Sequence, residues 1–333
     1  MPASTAAASH AQRRLGIGIV LGLAASLAFA ASGTFVRPLL SAGWTPLAAV
    51  FWRVVAASVL LLPLGFWVLR GRLTLLLKEW KLIVTFGVLA VSVAQGMYFS
   101  AVSRMSVSVA LLLEYMAPVA LVLLAWARQR HAPSRLVLGG AAASLAGLVF
   151  VLDLTGARLD GLGVLYGLGA MVGAAAYFVL GARPSQLPAL ALPAFGLPVG
   201  AVFLGILVAT GVLPYAAPLV DVDLMGAAVP WWVPFGVVVL FATAAAYALG
   251  VAGVSLMGER LASFVSLSEV LFAALVAALV LGEVPTGMQL VGGVLIVVGV
   301  VLIRMSSGDA PAGVPSLVEE MEISHAEPRA PRT

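Results

Sequence analysis

Apolar runs of about twenty residues, separated by short polar connections, follow one another along the chain. A helix rising 1.5 Å per residue needs about 20 such residues to cross a hydrocarbon core of roughly 30 Å. Ten runs meet that length, at about 16–37, 46–69, 82–102, 107–127, 136–154, 161–181, 189–212, 233–253, 261–281 and 287–304. The pattern predicts an all-α integral membrane protein of ten transmembrane helices. Most connections are short; 214–232 is the exception, with three prolines, Asp221 and Asp223. Residues 1–14 are rich in Ala and Ser, and 305–333 in Pro, Glu and Ser. Neither can bury enough apolar surface to offset its ordering entropy, so both are expected to be disordered cytoplasmic segments.

Composition agrees. Of 333 residues, 62% are hydrophobic and 10% charged, against roughly 25% charged in soluble domains. A hydrated surface cannot be built from that supply. There is no cysteine, which removes disulfides, thiolate metal sites and a cysteine nucleophile. The positive balance reports where Arg and Lys sit and does not point to nucleic acid. With the N-terminus placed in the cytoplasm, the inner loops receive Arg13, Arg14, Arg70, Arg72, Lys78, Lys81, Arg128, Arg130, Arg135, Arg183, Arg260 and Arg304. The outer side receives Arg104 and Arg158, with Arg37 near the outer end of the first span. This bias predicts both termini inside, in a multi-pass protein of the cell (inner or plasma) membrane. Trp44, Trp231 and Trp232 then mark the outer interface, and Trp67, Trp80 and Trp126 the inner one. A rival reading makes the first span a secretory signal, from Arg13-Arg14 and Ala28–Ala30. The apolar run continues to Leu40, longer than a signal core, and the internal repeat of the chain needs this helix.

The chain repeats itself. Gly16, Gly18, Gly22 and Leu23 recur 145 positions on as Gly161, Gly163, Gly167 and Leu168. Val102-Ser103 and Met105 recur 152 positions on as Val254-Ser255 and Met257, and Gly139-Gly140 matches Gly292-Gly293. The matches define a first repeat over 15–155 and a second over 160–304, each of five spans. Five is odd, so the second half enters the membrane from the opposite side. Such inverted repeats let two bundles rock about a central site. The repeated glycines also let helices approach closely.

Two stretches resemble a known family: "ALLLEYMAPVAL" in span four, and "ERLASFVSLSEVLFAALVAALVLGEVPTGMQLVGGVLIVVG" across spans nine and ten. They are similar to the drug/metabolite transporter superfamily, in its ten-span EamA group, over about residues 15–304. The first stretch looks like the branch of threonine and homoserine exporters, in which a Glu precedes an aromatic residue and then Pro. The second carries the family's closing pattern, Glu269, then Leu281-Gly282-Glu283, then Gln289 before Gly292-Gly293. Val270 stands where the family often has Pro, so no proline-driven distortion is expected at Glu269. The resemblance implies a transporter, and its branch alone supplies "amino acid".

Three charges fall inside spans. Arg53 and Glu114 lie seven and eight residues in from the outer side, roughly 10–12 Å deep, and Glu269 lies comparably deep from the inner side. A charge near the bilayer centre costs on the order of 2.5–3.5 kcal/mol, so such residues face protein or water and tend to pair. Arg53 and Glu114 match in depth and sign, and an ion pair is expected; a purely structural pair is the plainer reading. Glu269 has no evident basic partner. With one Arg against two Glu, one carboxyl is expected to hold a proton or accept a cationic group.

Helical stripes add cavity-lining candidates: Ser92, Gln95 and Phe99; Tyr166, Gly173 and Tyr177; Thr243, Tyr247 and Gly250; with Tyr98, Tyr115 and Ser266 nearby. Buried hydroxyls that simply join helices are the alternative. Pro118 frees a carbonyl near residue 114 and predicts a kink. Glu283 and Pro285 read as a turn. His10, His131 and His325 all lie outside the spans, so a membrane-embedded Ser–His dyad or His metal site is excluded, and no Gly-rich stretch leads into Lys-Ser/Thr. No enzyme activity, cofactor or metal is expected. The expected partners are a small-molecule substrate and the bilayer; oligomeric state stays open. The reading is a proton-coupled or exchanging carrier that exports a small amino acid or related metabolite. The alternatives are a lipid or isoprenoid-carrier flippase, efflux of other drugs or metabolites, a channel, or an assembly partner without transport.

Overall fold

The computed structural model describes residues 2–105, 107–129, 132–152, 154, 159–282 and 286–308. The expected turn at Glu283 and Pro285 and the tail beyond Gly308 lie outside the described residues. Among the described residues ten helices are long and apolar enough to cross a membrane: span 1 Gln12–Ser41, span 2 Pro46–Leu69, span 3 Trp80–Val102, span 4 Val107–Arg128, span 5 Arg135–Leu152, span 6 Gly161–Ala182, span 7 Ala191–Ala209, span 8 Trp232–Met257, span 9 Glu259–Val280 and span 10 Gly287–Ser306. Each falls within a few residues of the run that predicts it. The helix of span 1 begins at Pro2 and that of span 10 continues to Gly308. Ala has the highest helix propensity, so the leader can continue a helix already nucleated in the span.

Local chemistry sets the ends. Thr45 caps span 2, accepting from the Ala48 N–H at 3.4 Å, with Pro46 in the first turn. Asp160 caps span 6 through the Gly163 N–H at 2.7 Å. Spans 8 and 9 are joined by Gly258 alone, whose φ of 79° is left-handed and suits glycine. The long connection between spans 7 and 8 folds into an antiparallel hairpin, β1 Val222–Leu224 with β2 Ala227–Val229. Met225 and Gly226 both take positive φ, the turn that matches strand twist, and the Asp223 side chain accepts from the Gly226 N–H at 2.8 Å. Val222 packs with Leu39, Trp44 and Ala48 over the ends of spans 1 and 2. This end is the hairpin face; the end that carries the N-terminus is the terminal face.

Contacts repeat with the sequence. A Cβ built on Gly22 would meet Met257 and Val265; one built on Gly167 would meet Met105 and Leu113. These are the same positions shifted by 145 and 152. Spans 5 and 10 pack along most of their length. There Gly140 faces the Gly299 carbonyl, with an added Cβ 2.7 Å away, and Gly292 faces the Gly147 carbonyl at 2.6 Å. Shifting each partner by 152 turns the first contact into the second. Only two halves related by a pseudo-two-fold axis give such reciprocal pairs.

Helix irregularities repeat as well. Span 3 carries a π segment at Phe86–Val93 and span 8 one at Leu240–Ala245. In each a hydroxyl takes up a carbonyl five residues back: Ser92 to Gly87 at 3.1 Å and Thr243 to Val238 at 2.9 Å. Span 4 is broken between Val107–Glu114 and Ala117–Gln129, and span 9 at Leu267, between Glu259–Ser266 and Ser268–Leu281. Tyr115 and Leu267 are 152 positions apart. Pro118 therefore goes with a full break rather than a kink: with no N–H at 118, the Glu114 carbonyl has no i+4 donor. Span 9 breaks at the equivalent place without proline.

Candidate functional site

The residues just beyond the π segments and those at the two breaks, Gln95, Tyr247, Tyr115 and Ser266 among them, line one cavity of about 750 Å³ between the halves, within the range of small-molecule sites. Arg53, Gln95, Tyr98, Glu114, Tyr115, Pro118, Tyr177, Tyr247, Ser266 and Glu269 all line it. Tyr166 does not. It packs with Ala101, Met105 and Val109, away from the cavity, so the stripe on span 6 does not run as expected. Gly173 lies against Ala94 instead.

Arg53, 9% exposed, comes from span 2. Its guanidinium donates to the Ser32 Oγ at 2.8 Å and to the Gln95 Oε1 at 2.9 Å, and its Nε has no partner among the described residues. The expected direct ion pair with Glu114 is absent. The two neutral oxygens reach the guanidinium first, because span 1 threads between the halves and delivers Ser32 to it. Glu114 and Glu269 both lie close enough to interact electrostatically with Arg53. Glu269 is thus not isolated from a cation, as depth counting along separate spans implies; the break lets spans 4 and 9 bring their acids to one place. Tyr115 is a close polar neighbour of Glu269, and Tyr247 of Gln95. Glu269 occupies the first turn of Ser268–Leu281, and Glu114 ends Val107–Glu114. A helix start favours negative charge and a helix end opposes it, so the two carboxylates sit in unlike fields.

The π segments decide which polar residues face inward. The Ser92 hydroxyl sits inside one and bonds Gly87 and, at 3.0 Å, the Gly200 carbonyl of span 7. Thr243 is equally turned to its own backbone. Just beyond the segments, Gln95 and Phe99 face the cavity, as do Tyr247 and Gly250. Gln95 and Tyr247 are equivalent positions, 152 apart. A residue that meets its own repeat partner lies at the pseudo-two-fold axis, and the Arg53 guanidinium is held there. Sequence reasoning missed Ser32, Phe29 and Thr34, which bring span 1 into the lining. The polar triplet Ser32-Gly33-Thr34 inside an apolar run is the signal that could have found them.

Toward the hairpin face the cavity reaches Arg37, Leu40, Pro46 and Val107. Toward the terminal face its lining runs down to Gly22, Met257 and Ala262, where Leu121, Phe178, Val254 and Ala262, one from each of spans 4, 6, 8 and 9, pack with Met257 as an apolar plug.

A family model of EamA-like transporters matches the chain twice, over residues 16–153 and 161–305. The chain belongs to the EamA-like transporter family. It is a multi-pass membrane transporter of the drug/metabolite type, built as two repeated halves, and not an enzyme. No curated protein matches the transporter in sequence. A solved crystal structure of another protein superposes with a TM-score of 0.71 over 88% of this chain and 99% of that one, at 19% identity. That likeness speaks for the fold alone.

Proposed function

We propose that the transporter is a secondary active carrier that exports a small amino acid or related metabolite from the cytoplasm across the plasma membrane by alternating access, coupled to protons or to exchange. One observation carries the reading: Arg53, Glu114 and Glu269 converge on a single cavity that runs to one face and is plugged at the other. A cavity closed at one end is what a carrier needs. The mixed charge suits a solute bearing both an amine and an acid, as the amino-acid exporter resemblance of span 4 suggests. Glu269 is the proposed coupling group, with Glu114 and Arg53 sharing the substrate, and Gln95, Tyr98, Tyr115, Tyr177, Tyr247 and Ser266 shaping its walls. The positive-inside bias supports a cytoplasmic terminal face, so the cavity reaches the outside.

Comparing the medium of cells with and without the protein by metabolomics tests the substrate: one or more amino acids should accumulate outside only when it is present. Purified into vesicles, it should then show saturable uptake and counterflow of that compound. Glu269→Gln should flatten the pH dependence of the flux. Unchanged media, or flux that never saturates, would sink the carrier reading.

A further inference from the structure

The two faces of the transporter are not packed alike, although the repeat makes their helices equivalent. At the terminal face, Ala117–Gln129 of span 4 packs on Glu259–Ser266 of span 9, and span 6 packs on both Glu259–Ser266 and Ala246–Met257 of span 8. The equivalent elements at the hairpin face are Ser268–Leu281, Val107–Glu114, span 1 and Ala94–Val102. They make no comparable packing with one another in those same pairings. Closed contacts on one side therefore map onto open ones on the other. Gly181 meets Val254 across the terminal face, with an added Cβ 3.2 Å from a Val254 methyl; the equivalent pair is Val36 and Val102, and both line the open cavity. Gly250 meets the Tyr177 hydroxyl, and the equivalent pair, Tyr98 and Ser32, also lines it.

We infer that the transporter closes its hairpin face through a second plug made of Gly33, Val36, Val102 and Ala273, and that the unequal size of the two plugs sets the resting conformation. The inference rests on the alternating-access reading above. In the plug that is now closed, Leu121 and Phe178 are buried. Their equivalents are Ala273 and Gly33; that of Val254 is Val102, and that of Ala262 is Ala110, which is already buried. Closing the hairpin face thus buries an alanine and a glycine where closing the terminal face buries a leucine and a phenylalanine; Val36, which stands where the terminal face has Gly181, offsets only part of that difference. Apolar burial scales with area, so the terminal-face closure is the more stable and the conformation described here is the populated one. Closure of the second plug also brings Tyr98 onto Ser32, the residue that now holds Arg53, which links the gate to the charge at the axis.

The chain has no cysteine, so paired cysteines can be placed in the full-length protein without removing any. In membrane vesicles, Val36→Cys with Val102→Cys should cross-link slowly under mild oxidant. Adding Phe178→Ala or, as a milder variant, Leu121→Ala should speed it by roughly tenfold or more, the factor implied by losing the burial of one large side chain. Ser134→Cys with Ser306→Cys, whose hydroxyls stand 2.7 Å apart, reports that each background is folded and should link equally in all. If the Ser134–Ser306 pair links while the Val36–Val102 pair stays unlinked in both plug variants, the proposal is overturned. Counterflow in the same vesicles separates that outcome from failure of the carrier reading: counterflow without the cross-link leaves a carrier with a different gate, and no counterflow removes both.

Discussion

Arg53 is a buried cation whose two hydrogen-bonded partners are neutral, with two carboxylates at longer range. Its charge offsets theirs through space, so removing it leaves two acids without compensation in a site closed to water on one side. Arg53→Gln should lower stability by about 1–3 kcal/mol, read as a lower midpoint of thermal unfolding in detergent. Adding Glu269→Gln removes one of the uncompensated acids and should restore part of the loss. Strictly additive losses in the double variant would show that the charges do not compensate each other. The three charged positions were legible in sequence, because an ionisable residue inside an apolar run has few tolerated surroundings. Their partners were not, because depth along a span says nothing of which side of the helix faces which neighbour.

At the scale of elements, two devices shape the cavity: helix breaks at equivalent positions and π segments tied by a hydroxyl. Ser92 reaches a second helix and Thr243 only its own. The Ser92 O–H is one donor shared between two carbonyls, so Ser92→Ala and Thr243→Ala should each cost about 0.5–1.5 kcal/mol for the one hydroxyl lost, in the same unfolding measurement. The glycine pairs between spans 5 and 10 predict a matched effect. Gly140→Val and Gly292→Val would each drive a side chain into the facing backbone. Each should cost on the order of 1–3 kcal/mol as overpacking, by similar amounts because the two sites are equivalent. The π segments also explain why two polar stripes were half right. An extra residue in a turn rotates the remainder of the helix by roughly 100°. Ser92 and Thr243 point to backbone, and Gln95 and Tyr247 point inward.

For the whole molecule, orientation is the property that depends on charge placement rather than on packing. Ala227, in the hairpin, and Ser185, between spans 6 and 7, are both exposed and lie at opposite faces. In intact cells a membrane-impermeant maleimide should label Ala227→Cys and leave Ser185→Cys untouched until the membrane is opened. The reverse pattern would invert the topology and make the cavity face the cytoplasm.

The number of spans, their limits and the duplication of the halves were determined by sequence alone. Hydropathy is local, the bilayer imposes one length on every crossing, and duplication leaves matched glycines wherever helices must touch. Only the tertiary structure decided that Arg53 bonds Ser32 and Gln95 rather than Glu114, that Tyr166 turns away from the cavity, and that the terminal face is the one closed. Those facts depend on helix rotation and on contacts between segments far apart in the chain. A one-residue π insertion or a break at residue 115 can change them without disturbing the hydrophobic pattern.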